Sequence, residues 1–410
     1  MAPRVRGQIG GTAQVAVATM VMNLAMYGFT VSAARLLGPT AYGGFFAVVN
    51  LMLIVGVLQL GLQATAARRI SSDPAHVEQI EREILRVSFR AALLLAALLL
   101  AAAPVVTVLL DLESPGTALL AALAAVPLTM SGAQAGILQG ERRWRELAVL
   151  YVLMGVPRLL AGLALVLWRP TELTAFAGVA VGFAAAYLYG RHALRHGRRP
   201  GAGHARHAFL PLVRETARSS QALLAFLALS NADMLLARAV LDPAESGLYA
   251  AGLLVSRAVL FLPQFVVVVA FPSMSSEDGA ERALVISLGA VVGVGLLCTA
   301  ATAMLADLAL LFAGGAAYAE VRDVLWIFAL LGTATSVVQL LVYSALARPG
   351  GRSVHLVWAA LTVMVLATTA VGTVTEMLLV VLAVDVSLAV VLVATRPRAS
   401  RTPAGSPSRP

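Results

Sequence analysis

The feature that most constrains this chain is a succession of apolar runs, each close to the ~20 residues that carry a helix across a bilayer. Read against turn and charge signals, twelve such runs occur: 11–37, 42–67, 91–110, 117–138, 147–168, 173–189, 219–240, 247–271, 283–305, 324–347, 354–373 and 377–394. A backbone inside hydrocarbon has no water to bond with, so segments of this length must be helices. The expected fold class is therefore all-α: a polytopic membrane protein with about 12 transmembrane helices. Composition agrees, with 60% hydrophobic and 12% charged residues and a mean hydropathy of +0.86. Soluble domains carry about 25% charged residues, so a soluble enzyme, a disordered chain and a secreted disulfide scaffold are excluded.

All 30 basic residues are arginine. Without lysine the chain has neither a Walker-type phosphate lysine nor Schiff-base chemistry. Cys298 is the single cysteine, so an intrachain disulfide and a cysteine metal cluster are excluded. The net charge of +9 resolves by position. If the loops are taken alternately, 24 of the 30 arginines fall on the side of the N-terminus and four on the other. By the positive-inside rule both termini are cytoplasmic, in a multi-pass protein of the cytoplasmic membrane. The charge is an orientation signal, and no nucleic-acid partner is expected.

The longest polar stretch, 191–218, divides the spans into two sets of six. Arg35, Pro39, Gly43 and Phe45 in the first set are matched by Arg238, Pro243, Gly247 and Tyr249 in the second. Pro and Gly are four apart in both, and an aromatic follows two residues later. Six spans is an even number, so both halves start on the same face and the repeat is parallel. Transporters built this way place their path between the halves. The expected organisation is an N-terminal lobe over 1–200, a linker end at 201–218, a C-terminal lobe over 219–395 and a disordered basic cytoplasmic tail over 396–410. Between spans two and three, Asp73 and Pro74 offer a helix start. Val77, Ile80, Ile84 and Val87 then recur at helical spacing, predicting an interfacial helix or an extension of span three.

The hairpin of Arg35, Gly38, Tyr42 and Gly43 resembles that of the polysaccharide-biosynthesis branch of the multidrug/oligosaccharidyl-lipid/polysaccharide (MOP) flippase superfamily. The resemblance continues at Leu60 and Gly61 before Arg68, at Gln139 and Gly140 before Arg143 and Trp144, at Asn231 and Asp233, at Gly247, Tyr249 and Arg257, and at Pro272. It covers the first eight spans; the last four are similar in length and hydropathy only. It implies two six-helix lobes around a central cavity lined chiefly by spans one, two, seven and eight. It also implies a substrate, an undecaprenyl-diphosphate-linked oligosaccharide moved to the outer leaflet by alternating access, with no bond broken. The bilayer, the lipid-linked glycan and other polysaccharide assembly proteins are the implied partners.

Such a substrate needs cations for its diphosphate and polar groups for its glycan. Charges inside a membrane cost about 2.5–3.5 kcal/mol each on insertion scales and default to functional candidates. Four are embedded here: Arg158, Asp233, Arg257 and Asp385. Arg257 is the expected diphosphate contact, with a buried pair to Asp233 as its alternative. Arg158 follows Pro157, whose ring frees a carbonyl that the guanidinium could satisfy. Asp233 and Asp385 are expected to exchange a proton or bind sodium, or else to be satisfied by polar neighbours; no resident cofactor is expected. Gln14, Asn23, Asn50, Gln59, Gln63 and Gln264 are candidates for glycan hydroxyls or for interhelical hydrogen bonds. Arg35 and Arg238 occupy equivalent places in the repeat, where they snorkel, cap the hairpin or gate. His192 and His196 have a metal-chelating spacing, but the surrounding arginines oppose a cation. Two other classes remain open: a multidrug or metabolite exporter of the same fold, and a membrane glycosyltransferase or polymerase.

Overall fold

The computed structural model describes residues 2–195, 209–270, 280–346 and 352–395. The tail expected over 396–410, and most of the linker, lie outside the described residues. The helices are α1 (Ala2–Val55), α2 (Val57–Ser72), α3 (Val77–Leu109), α4 (Pro115–Gly140), α5 (Trp144–Trp168), α6 (Glu172–Ala193) and α7 (Phe209–Val240). They continue with α8 (Pro243–Ala270), α9 (Ala280–Met304), α10 (Ala306–Ala313), α11 (Leu325–Leu346), α12 (Arg352–Thr368) and α13 (Val374–Ala394). No strand occurs among the described residues, and eight helical stretches among them are long and apolar enough to span a bilayer.

One of those stretches, Ala13–Ser72, has 60 residues. At 1.5 Å per residue that is about 90 Å, three times the hydrocarbon thickness, so it cannot be one crossing. The chain turns back at Gly38, whose φ of 74° is open to glycine and strained for other residues. The reversal brings the Phe29 and Phe45 rings to 5.8 Å, edge to face. The arms 2–37 and 39–72 are thus two crossings, and with α3 to α9 and α11 to α13 they make the twelve expected. Three boundaries differ from expectation. The stretch read as a loop after span nine contains α10 and a 3₁₀ segment, Ala316–Val324. The helix expected from 219 starts at Phe209, with Pro211 in its first turn, where a missing N–H costs nothing. Between spans two and three a 3₁₀ turn, Pro74–His76, leads directly into α3. Ile80, Ile84 and Val87 then pack on Leu62, Ala66 and Ile70 of α2 and on Ile137 of α4, so the amphipathic element is an extension of span three.

The two halves repeat each other's packing. The contact of α3 with α4 recurs as α9 with α11, that of α5 with α6 as α12 with α13, that of α2 with α4 as α8 with α11, and that of α4 with α6 as α11 with α13. Lipid tails are as apolar as leucine, so helices in a bilayer associate through close packing of small residues. Gly132, Gly136 and Gly140, spaced by four along α4, let α2 approach so closely that a Cβ on Gly136 would lie 2.7 Å from the Cβ of Ala66. We predict that Gly136→Val lowers stability by roughly 1–3 kcal/mol through overpacking, measured as a lower melting temperature in detergent. Gly289→Ala, which meets nothing within 4 Å, should leave it at or above the native value.

Candidate functional site

The two halves meet along α1, α2, α7 and α8, and the polar groups of that seam gather around Arg257. Its guanidinium donates through Nη2 to Oδ1 of Asn50, from the first half, and to Oδ1 of Asn231 at 3.0 Å, from the second. Each asparagine turns its Nδ2 to the carbonyl one turn earlier on its own helix, Phe46 at 2.6 Å and Leu227 at 2.8 Å. The amide oxygens are thereby aimed at the cation. The Phe46 ring, 4.9 Å from the guanidinium carbon, completes the setting. Arg257 stays half-buried. Asp233 interacts with it electrostatically but spends its hydrogen bonds on the Met234 N–H at 2.8 Å and the Tyr249 hydroxyl at 3.3 Å. The simple Arg257–Asp233 pair is thus replaced by a bridge between the halves.

The repeat explains why these residues coincide. Gly43 and Gly247 are 204 residues apart. The same offset relates Tyr27 to Asn231, Phe29 to Asp233, Phe45 to Tyr249 and Asn50 to Leu254. In the first half Phe29 meets Phe45 as an aromatic pair, whereas in the second Asp233 accepts from Tyr249. Across the seam the Tyr27 hydroxyl donates to the Leu254 carbonyl at 3.3 Å, and the symmetry-related Asn231 and Asn50 meet through Arg257. One scaffold therefore carries an apolar version of the site in one half and a charged version in the other.

The other candidates separate. Asp385 is buried on α13 and accepts from Thr335 of α11 at 2.6 Å, inside the second half and within electrostatic reach of Asp233. Arg158 is also buried, but inside the first half. Its guanidinium carbon is 5.5 Å from the Phe29 ring centroid, and it does not bond the carbonyl freed by Pro157. Gln63 donates to Gln139 at 3.1 Å and to the Tyr151 hydroxyl at 2.8 Å, an interhelical network. Gln59 lies over Gly132, and Asn23 is half-buried one turn before Tyr27. Gln14 is the one polar group in an otherwise apolar groove of about 540 Å³ between α1 and α5. The Gln264 side chain and His196 lie outside the described residues; among those described no cluster could hold a metal.

At the Gly38 end the halves are locked together. A Cβ on Gly247 would run into the Pro39 carbonyl, and one on Gly43 would lie 3.0 Å from the Gly247 nitrogen, so the repeated glycines are where the two backbones touch. Arg238, 3% exposed, donates from Nε to the Leu110 carbonyl and from Nη2 to the Asp111 carbonyl, both at 2.7 Å, while Nη1 holds the Pro243 carbonyl and Ser246. Asp111 adopts a φ of 42°, uncommon for a non-glycine residue, in presenting that carbonyl. Arg35 reaches the Leu311 carbonyl at 2.6 Å, and the Tyr318 hydroxyl reaches the Ala34 carbonyl at 2.7 Å. Glu172, fully buried at the start of α6, accepts from the Ser114 N–H and the Thr117 hydroxyl and faces Gly44 beside Arg238. Beyond the membrane helices, hydrogen bonds from Arg322 hold the Asp307 carboxyl below its usual range. Toward the opposite end, α1 residues at helical spacing from Tyr27 are bare, Leu24 at 70% and Met20 at 63% exposure. The α1–α8 face is thus open there while α2 still packs on α7.

Asn231, Tyr42, Tyr249, Thr335, Tyr318 and Glu172 were not among the sequence candidates. Asn231 sits two residues from Asp233 and Tyr42 within the hairpin motif, which were their only signals. Nothing local marks the others.

Two lobes related by a parallel repeat, with polar groups on the seam, form the fold of MOP-superfamily transporters. An inward-facing multidrug resistance MATE family transporter of that superfamily superposes at a TM-score of 0.74 and 11% identity, covering 92% of this chain and 96% of that one. An outward-facing one gives 0.65 at 13% identity and 93% of each chain. The lipid II flippase MurJ, inward closed, gives 0.70 at 10% identity, over 94% of this chain and 87% of that one. At these identities the likeness is one of fold. By sequence, the chain belongs to the polysaccharide biosynthesis protein family, whose model matches residues 10–277. No curated protein matches it.

Lysine cannot reproduce the planar fork by which Arg238 grips two consecutive carbonyls. We predict that Arg238→Lys loosens the Gly38 end by about 1–3 kcal/mol, the worth of two hydrogen bonds. A cysteine at Gly43, in a Cys298→Ala background, should then react with a membrane-impermeant maleimide roughly tenfold faster than in the Arg238 protein.

Proposed function

We propose that this protein is a flippase that carries a polyprenyl-diphosphate-linked oligosaccharide across the cytoplasmic membrane by alternating access, for surface polysaccharide synthesis. The observation that carries the reading is Arg257, a half-buried cation held between the two halves by one asparagine from each. A diphosphate displacing the two amide oxygens gains charge-assisted bonds and at the same time breaks a link between the lobes. Substrate binding and lobe movement thereby share one side chain. Asn23 on the bare face of α1, with Gln59 and Gln264 nearer the terminal end, supplies further polar contacts for the glycan. Asp233 and Asp385 carry the coupling proton or sodium ion, Asp233 being within reach of Arg257 so that its charge affects substrate hold.

In this reading the Gly38 end is external, the termini are cytoplasmic, and Arg238 and Arg35 gate the external side. The open α1–α8 face lets a lipid tail remain in the bilayer while the head enters. Family membership and the fold of the MurJ and MATE structures support a transporter of this superfamily, and the cation on the seam favours an anionic substrate.

We predict that Arg257→Ala abolishes glycan export while the protein still inserts, with lipid-linked oligosaccharide accumulating on the cytoplasmic leaflet. Normal export from a normally expressed variant removes Arg257 from the mechanism. Unchanged surface glycan with drug hypersensitivity on loss of the protein would instead identify an exporter. Tags at both termini should react only after the membrane is permeabilised; external labelling of either overturns the orientation.

A further inference from the structure

Of the embedded charges, Arg158 is the one whose charge nothing nearby answers. Arg257 has two amide oxygens and Asp233, Asp233 has an N–H and a tyrosine hydroxyl, and Asp385 has Thr335. Arg158 is 6% exposed, its Nε has no acceptor, and among the described residues neither a carboxylate nor a hydrogen-bonding oxygen reaches its guanidinium. Its carbon sits 5.5 Å from the Phe29 ring, and the approach of α6 is so close that a Cβ on Gly182 would lie 2.9 Å from Arg158 Cβ. Tyr42 is the group that interacts with it electrostatically, through a wall of rings in which Phe29 meets Phe45 at 5.8 Å and Phe45 meets Tyr42 at 6.2 Å. Tyr42 is fully buried, and its hydroxyl also lacks a partner.

Buried polar groups are almost always satisfied, and one that is not points to a water or ion that completes it. Water would meet the hydrogen bonds but not the charge, and an uncompensated cation inside a bilayer costs several kcal/mol. Guanidinium is donor only, and the Tyr42 hydroxyl has a proton to give. The missing partner is therefore an acceptor with a negative charge, small enough for the interior of a six-helix lobe. We propose that Arg158 and Tyr42 hold a monovalent halide, chloride under ordinary conditions, inside the N-terminal half. Phe29 and the α5–α6 contact separate the ion from bulk water. It neutralises the first half in place, as Asp233 does for Arg257 in the second. The inference does not depend on what the transporter carries.

The test uses the purified full chain in detergent. Replacing chloride with gluconate should lower the melting temperature, and bromide should restore it. A bromide-soaked crystal should show an anomalous peak beside Arg158. Arg158→Met should abolish the halide dependence, whereas Arg145→Met, at an exposed arginine, should leave it intact. If Arg158→Met does not fold, Tyr42→Phe keeps the ring, removes one donor and should weaken apparent halide affinity roughly tenfold. A wild-type protein equally stable in gluconate and chloride overturns the proposal in favour of water. Halide dependence that survives Arg158→Met or Tyr42→Phe unchanged overturns it in favour of surface arginines.

Discussion

The contact on which the rest of the arrangement depends is the crossing of two backbones at Gly43 and Gly247. They occupy the same place in the two repeats, so a two-fold relation along the membrane normal brings them to the axis. Only residues without a Cβ let the Pro39 carbonyl and the Gly247 nitrogen come so near. Once the halves touch there, the Gly38 end is shut. Arg238 can then reach the end of α3, Tyr318 can reach Ala34, and Arg257 lies between Asn50 and Asn231. The bonds that close that end run largely from side chains to backbone carbonyls. Carbonyls survive most substitutions, so the lock rests on few specific residues.

The same symmetry concentrates the chemistry. Equivalent positions hold Phe29 with Phe45 in one half and Asp233 with Tyr249 in the other. The first half packs rings where the second places a carboxylate, and the cation at the seam is supplied by α8 alone. A cycle that rocks two similar lobes thus carries its titratable groups on one side. Arg158, enclosed in the first half among those rings, is the exception and the reason an internal counter-ion is called for.

Much of the fold was legible because membrane insertion is decided locally. A run of about 20 apolar residues, a cluster of arginines and a Pro–Gly spacing are properties of short segments. Their reading needs no knowledge of neighbours. The same local logic flagged Arg158, Asp233, Arg257 and Asp385, since a charge in hydrocarbon is costly wherever its partners lie. It failed where helices form in polar or interfacial sequence, as at α10, the 3₁₀ segment beside it and the first turns of α7. There, hydropathy does not separate a short helix from a loop.

What the sequence determined by itself was the all-α membrane architecture, the division into two sets of six, the hairpin repeat and the identity of the embedded charges. What only the tertiary structure decided was which of those charges meet. Arg257 bonds to an asparagine 207 residues away, Arg238 to carbonyls 127 and 128 residues away, and Asp385 to a threonine on another helix. Helix periodicity fixes the face on which a residue stands. It does not fix which helix stands opposite. That choice comes from small residues allowing particular pairs of helices to approach, and it exists only once the bundle is assembled.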